Sequence, residues 1–174
     1  MLKFASLHRI VIGAGGFALL ALAPLPSFAA GDPPKPAEKC SEFKEGSAEW
    51  KRCKAKKFKD DEETYSVGYW KAKTGEYAEA LDVLRSARDQ SDPRIQTMIG
   101  FSLRKLGMVD EAMGYYAAAL RADPSLTSTR QYLGEAYLNK GERAKAVEQL
   151  AEIGRRCGTA CEHYTLLADA IAAS

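Results

Sequence analysis

The side chains that most often carry chemistry are scarce in this chain of 174 residues. Of its two histidines, His8 lies within the first thirty residues and only His163 lies beyond them. A single histidine cannot form a two-histidine metal site or a histidine-rich catalytic centre. The carboxylate runs at 60–63 and 110–111 stand at predicted helix starts, where the helix dipole accounts for them without catalysis. We therefore expect no enzyme, no metal site and no cofactor.

The four cysteines are the other reactive set, and they fall in two local pairs. Cys40 is close in sequence to Cys53, and Cys157 to Cys161. In an exported chain an even number of cysteines indicates disulfides, and we expect the local pairing. Crossed pairings, a redox-active C-x-x-x-C and a four-cysteine zinc site remain alternatives. The last two differ in spacing from the C-x-x-C pairs that such sites usually carry.

Residues 1–29 have the order of a secretory signal peptide. Lys3 and Arg9 precede an apolar run over 10–23, which is followed by prolines and by small residues at 27–30. The run is shorter than the ~20 apolar residues that span a bilayer. We therefore expect cleavage after Ala29, no membrane span in the mature chain, and an exported protein that is periplasmic or, alternatively, secreted.

Charge is distributed unevenly along the rest of the chain. Residues 31–59 are rich in Pro and Lys and carry nine Lys and Arg against five Asp and Glu, whereas residues 60–174 carry 14 against 18. The nearly neutral total argues against general nucleic-acid binding and against polybasic membrane binding. The change near residue 60 predicts a linker with a small Cys40/Cys53 segment over 30–59 and a folded domain over 60–174.

That domain contains three copies of one glycine pattern. Gly68, Gly100 and Gly134 are 32 and 34 residues apart, each is followed seven residues later by another glycine, and an alanine comes five residues after that. The second glycine of each copy, between two apolar-periodic stretches, predicts a helix end. The first glycine and the alanine predict close contact between two helices. We expect helix-turn-helix hairpins over about 61–92, 93–126 and 127–160, and an amphipathic capping helix within 161–174.

The pattern resembles the tetratricopeptide repeat, a 34-residue unit of two helices. The most complete copies have a small set of matching residues: Ile99-Gly100, Leu103, Gly107, Ala112, Tyr116, Ala119 and Pro124 in the second, and Leu133-Gly134, Tyr137, Gly141, Ala146 and Leu150 in the third. The signature tryptophan position instead holds Thr64, Gln96 and Arg130. The resemblance implies an all-α solenoid of three hairpins plus the capping helix, and a binding function.

In arrays of this family the first helix of each hairpin lines a concave groove. The resemblance implies that this groove is lined here by Tyr65, Tyr69, Lys73, Arg94, Thr97, Phe101, Arg104, Lys105, Gln131 and Glu135. Its four cations form a basic patch beside aromatic anchors, which suits an acidic and apolar segment of a protein or peptide. The alternative is that the cations are ordinary solvated helix residues and that the aromatics belong partly to the core. Some arrays of this family bind the terminal carboxylate of a peptide with a specific set of side chains. Here Tyr65 and Tyr69 stand at the first positions of that set, so we do not expect this chain to bind a terminal carboxylate in that way.

Two functions follow from these observations. The first is an exported interaction scaffold that binds a protein or peptide segment in the groove. The alternative is an envelope structural protein whose Lys-rich Cys40/Cys53 module binds a cell-wall polymer. Trp70 occupies a position that is small in the other copies, Ser102 and Ala136. We expect it to pack the Cys40–Cys53 segment over the open first repeat, and the alternative is a half-exposed tryptophan without such a role.

Overall fold

The computed structural model describes residues 32–35, 43–49 and 60–174. The predicted leader and the predicted Cys40–Cys53 disulfide lie outside these residues. The features below belong to the compact unit that spans residues 33–174. In the part of this unit that is described, no helix is long and apolar enough to cross a membrane.

Between residues 60 and 174 the chain forms seven helices. They are α1 (Asp61–Lys73), α2 (Tyr77–Leu84), α3 (Pro93–Lys105), α4 (Val109–Ala122), α5 (Thr127–Asn139), α6 (Arg143–Cys157) and α7 (Glu162–Ala172). The side chain of Asp60 caps α1 by accepting a hydrogen bond from the Glu63 amide, and Asp92 caps α3 in the same way ahead of Pro93. The predicted all-α solenoid of three hairpins and a capping helix is confirmed.

A glycine in the left-handed conformation ends the first helix of every hairpin. Gly75, Gly107 and Gly141 have φ values of 92°, 85° and 75°. In each turn the amide that follows the glycine reaches back five residues to a helical carbonyl, over 2.8–2.9 Å. This is the glycine-dependent closure that the sequence pattern predicted.

The mid-helix glycines lie where two helices approach most closely. A Cβ at Gly68 would be 2.5 Å from Leu84 of α2, and one at Gly100 would be 2.6 Å from the Tyr116 ring of α4. At Gly134 the nearest atoms belong to Leu167 of α7 rather than to α6. The expectation of a close approach within the hairpin therefore describes the first two copies, whereas in the third copy the capping helix makes the nearest approach.

The helices form an inner and an outer layer. The first helices of successive hairpins contact one another, α1 with α3 and α3 with α5, and α7 continues this series by contacting α5. Within residues 60–174 the second helices make no such contacts, neither α2 with α4 nor α4 with α6. Elements that touch along a curved stack lie on its inner side, so α1, α3, α5 and α7 form the inner layer.

The capping helix closes the apolar end of the third hairpin. Leu167 is fully buried and Ile171 nearly so, and both pack in a cluster with Ala146 and Ile153 of α6. The Cys157–Cys161 disulfide joins the last residue of α6 to the residue before α7, with a Cα–Cα distance of 5.8 Å. This predicted local disulfide is present, and it holds α7 next to the hairpin that it covers.

Two glycine-to-alanine substitutions test the close approach. Gly100→Ala should lower the free energy of unfolding by about 1–3 kcal/mol, because the added methyl would overlap Tyr116 and lie 3.1 Å from the Ala112 carbonyl oxygen. The control Gly114→Ala lies inside α4 with no atom within 4 Å of its Cβ position, and it should raise stability by roughly 0.5–1 kcal/mol. Urea unfolding of the two variants measures both changes. Equal effects would show that the Gly100 contact is not a packing constraint.

Candidate binding surface on the inner helices

All ten residues predicted to line the groove lie on inner helices. Tyr65, Tyr69 and Lys73 are on α1, Gln131 and Glu135 are on α5, and the other five are on α3. Contacts between neighbouring helices join the set into one surface. We call it the inner face and define it by these ten residues. This surface differs from the predicted basic patch in three ways. Its aromatic rings are largely buried, its arginines are paired with carboxylates, and hydrogen bonds link it to α7.

The aromatic rings form a floor rather than projecting anchors. Phe101 is only 8 % exposed, and its ring centroid lies 4.9 Å from that of Tyr132 and 6.2 Å from that of Tyr77. Tyr69 is 7 % exposed and its ring contacts those of Tyr65 and Trp70. Phe101 therefore offers little surface to a ligand, because rings of the adjacent hairpins cover it, and its predicted role as an anchor stays a prediction.

The two arginines of the predicted patch are paired with carboxylates. Arg94 contacts Asp92 at 2.8 Å and Glu62 at 2.9 Å, and its guanidinium lies over the Tyr65 ring. The hydrogen bonds that Arg94 donates to Asp92, together with the one to Glu62, raise the pKa of Arg94. Arg104, with a side chain only 7 % exposed, forms an ion pair with Glu135 of α5. Neither arginine adds net positive charge to the inner face, which corrects the predicted four-cation patch.

Two lysines retain their charge for a ligand. Lys73 and Lys105 are exposed, and neither has an ion-pair partner in the part of the chain that the structure describes. The ammonium of Lys73 lies 5.8 Å from the Tyr69 ring centroid, and that of Lys105 lies 5.6 Å from the Phe101 centroid. The same aromatic–lysine pair, four residues apart, thus occurs on α1 and on α3. The two pairs therefore lie on neighbouring helices of the inner layer, whose axes are about 8–10 Å apart when helices pack.

Buried polar groups connect the inner helices. Thr97 and Thr129 share a hydrogen bond of 2.7 Å between α3 and α5. The Gln131 amide nitrogen donates to Glu135 over 2.8 Å, and its amide oxygen lies 3.1 Å from Nδ1 of His163 on α7. Because the Gln131 nitrogen is directed at a carboxylate, its oxygen accepts a hydrogen bond from His163, and the neutral imidazole therefore carries its hydrogen on Nδ1.

This series of contacts, Arg104–Glu135–Gln131–His163, extends the inner face onto the capping helix. Sequence reasoning treated His163 only as a lone histidine. Its separation from Gln131 is 32 residues, the same as that between Thr97 and Thr129. The sequence predicts the contact between Gln131 and His163 when α7 is taken as the first helix of a fourth repeat, because the two residues are then separated by about one repeat length.

The described residues hold no group of three or more His, Cys, Asp or Glu side chains placed to bind a metal ion. Cys157 and Cys161 are joined to each other. The chemistry that the inner face can supply is recognition, through ammonium groups and amide or carboxylate oxygens above largely buried aromatic rings.

Comparison with known proteins identifies the repeat. A family model of the tetratricopeptide repeat matches residues 96–125, which include most of α3 and all of α4. These residues form a tetratricopeptide repeat. Among curated proteins no significant match was found.

Solved tetratricopeptide-repeat structures share the fold of this chain. The type III secretion chaperone SycD of Yersinia enterocolitica, solved in complex with a peptide of the translocator YopD, is 23 % identical over 64 % of this chain and 89 % of its own, with a TM-score of 0.56. PcrH, solved with the chaperone-binding region of PopD, is 20 % identical over 64 % and 86 %, with a TM-score of 0.55. YrrB, described as having an unusual peptide-binding site, is 24 % identical over 70 % and 60 %, with a TM-score of 0.57. At these identities the likeness establishes the fold alone.

The burial of His163 predicts a loss of stability in acid. Burial lowers its pKa, an effect that Glu162 opposes and Lys73 reinforces. The unfolded chain then binds a proton more readily than the folded one, so stability should fall as the pH drops below about 6.5, the ordinary value for histidine. His163→Asn keeps a donor toward Gln131 but does not titrate. The melting temperature of the wild type should therefore fall more than that of this variant between pH 7.5 and 5.5, and equal falls would contradict the burial of the imidazole.

Proposed function

We propose that this tetratricopeptide-repeat protein is an exported scaffold that binds an acidic segment of a peptide or protein along its inner face. The observation that carries the proposal is the repeated pair of an aromatic ring and an unpaired lysine, Tyr69 with Lys73 and Phe101 with Lys105. The pairs stand on adjacent helices of a stacked array. They present charge in a fixed arrangement to a ligand that runs across the helices.

The electrostatics of the domain favour an acidic ligand at this place. Residues 60–174 have more acidic than basic side chains. On the inner face, however, Glu135 is paired with Arg104, and Arg94 is paired with Glu62 and Asp92 beside that face. Among the described residues, Lys73 and Lys105 are then the cations of the inner face without an ion-pair partner. Charges of this kind orient a partner and increase its association rate.

The solved relatives support a peptide as the ligand class. SycD and PcrH were solved with segments of YopD and PopD, and YrrB is described by its peptide-binding site. The inner face of the present chain differs from a deep apolar pocket, because its aromatic rings are largely covered. We therefore propose that ligand backbone and carboxylates, rather than large apolar side chains, make most of the contacts.

Export is the part of the proposal that rests on the leader. Residues 1–29 lie outside the described structure, and their signal-peptide pattern remains a prediction. The Cys157–Cys161 disulfide supports an oxidising compartment, such as the periplasm, since disulfides persist there and are rare in reducing ones. The polymer-binding alternative depends on Cys40 and Cys53, also outside the described residues, and no contact of the described chain favours it.

Charge reversal at one lysine tests the binding surface. We would select a peptide on the purified mature chain, beginning at Ala30, from a random display library, and measure its affinity by calorimetry. Selected peptides should be enriched in Asp and Glu. Lys105→Glu should weaken binding roughly three- to tenfold, because an attraction becomes a repulsion at an exposed site, and added salt should reduce the difference.

The matched control is Arg121→Glu. Arg121 is also exposed and also lies in the last turn of its helix, but that helix is α4 of the outer layer. The control should change affinity less than twofold while altering net charge and helix dipole in the same way. Equal losses in the two variants, or none in Lys105→Glu, would place binding away from the inner face.

A further inference from the structure

Within the described residues, no helical hairpin precedes α1 to cover the face that points away from α3. Its residues Ser66 and Trp70 correspond, by the repeat spacing, to Met98 and Ser102 in α3 and to Tyr132 and Ala136 in α5. All four of these later residues are buried. Tyr132 shows what covers them, since its ring packs on Phe101 and Tyr116 of the hairpin before it. Ser66 and Trp70 therefore stand at the positions that, in the later repeats, pack against the preceding hairpin.

An extended proline segment occupies that place. The indole nitrogen of Trp70 donates a hydrogen bond of 2.9 Å to the carbonyl oxygen of Pro33, and the Ser66 hydroxyl donates one of 2.6 Å to that of Pro34. Ser66 is 7 % exposed, and the Tyr69 ring packs edge-on against Trp70 and orients the indole. The partner that we predicted for Trp70, the Cys40–Cys53 segment, lies outside the described residues. The described partner is the dipeptide Pro33-Pro34.

The chemistry of this contact selects for proline. A proline has no amide hydrogen to satisfy, its φ is fixed near −65°, and it restricts the residue before it to extended conformations. Prolines at 33, 34 and 36 therefore preorganise the segment before it docks, which lowers the entropy lost on binding. Donation from an aromatic side chain to the carbonyls of such a segment is the way in which proline-rich ligands are recognised in aromatic-lined grooves.

We propose that α1 carries a second recognition site, specific for an extended Pro-Pro segment and filled by residues 33–34 of the same chain. Ser66 and Trp70 lie one helical turn apart and donate hydrogen bonds to the successive carbonyl oxygens of Pro34 and Pro33. The site is separate from the inner face and does not depend on its function. We call residues 33–34 the clasp, because they cover positions of α1 that a preceding hairpin covers in α3 and α5.

A synthetic peptide tests this site directly. The probe is residues 31–37, Gly-Asp-Pro-Pro-Lys-Pro-Ala, titrated by calorimetry into the full mature chain and into a variant whose residues 31–37 are replaced by Gly and Ser. The variant should bind the peptide at least tenfold more tightly than the wild type, because in the wild type the tethered segment competes at a high effective concentration. In the variant with residues 31–37 replaced, the further change Trp70→Phe should weaken the affinity for the peptide at least tenfold, because it removes the hydrogen-bond donor but keeps an aromatic ring.

The control probe is the same peptide with both central prolines changed to alanine, and it should bind at least tenfold more weakly. A replaced variant that keeps its helical circular dichroism but binds no better than wild type would overturn the proposal. So would a Trp70→Phe variant that keeps its affinity. A wild type that sediments as a dimer, with the segment exchanged between copies, would overturn the assignment to the same chain.

A second measurement serves if the replaced variant does not fold. In the otherwise intact chain, Pro33→Ala with Pro34→Ala should speed hydrogen exchange of the Trp70 indole N–H at least tenfold, as seen by NMR. The backbone amide of Leu103, a buried residue of α3, provides the internal reference. Unchanged exchange at Trp70 would contradict the clasp.

Discussion

The arrangement of this protein depends on how closely an inner helix approaches the outer helix beside it. At Gly100 there is no room for even one methyl group, because the Tyr116 ring and a backbone carbonyl of α4 already occupy the space. This contact fixes the rotation of α3 about its own axis. The residue after the glycine is then turned about 100° away, toward the inner face. Tyr69 and Phe101 each follow such a glycine, and each has a lysine one turn later.

The same constraint explains how charge is organised on the inner face. Helices held in one rotation bring Arg104 opposite Glu135, and Gln131 opposite His163, across the boundaries between units. Buried pairs of this kind add little net stability, but leaving one partner alone is costly, so they favour a single register of the stack. Once the arginines are neutralised, Lys73 and Lys105 are the charges left for a ligand. The result is a selective surface in a domain whose overall charge is negative.

The sequence permits prediction of the contacts made within a unit much better than of those made between units. Glycines at fixed spacing predicted the hairpins, the helix ends and the close approaches at Gly68 and Gly100, because these depend on local backbone geometry. Contacts between hairpins depend on how the units stack, and no repeat pattern specifies that. For this reason the burial of Phe101, the pairing of Arg104 and the docking of Pro33-Pro34 on Trp70 were not foreseen. Gly134 is an example: it fits the same glycine spacing as Gly68 and Gly100, but the side chain nearest to its Cβ position is Leu167 of the capping helix and not a residue of α6.

The central claim is that partners bind to the inner layer and not to the outer one. It is tested most directly by site-specific photo-crosslinking in the native cells, with the reactive residue placed at position 105 in one strain and at position 121 in another. Both positions are exposed and end a helix, so they differ mainly in the layer to which they belong. We predict a discrete crosslinked partner from position 105 and none from position 121. Crosslinking of the same partner from position 121 alone, or equally from both positions, would contradict this account.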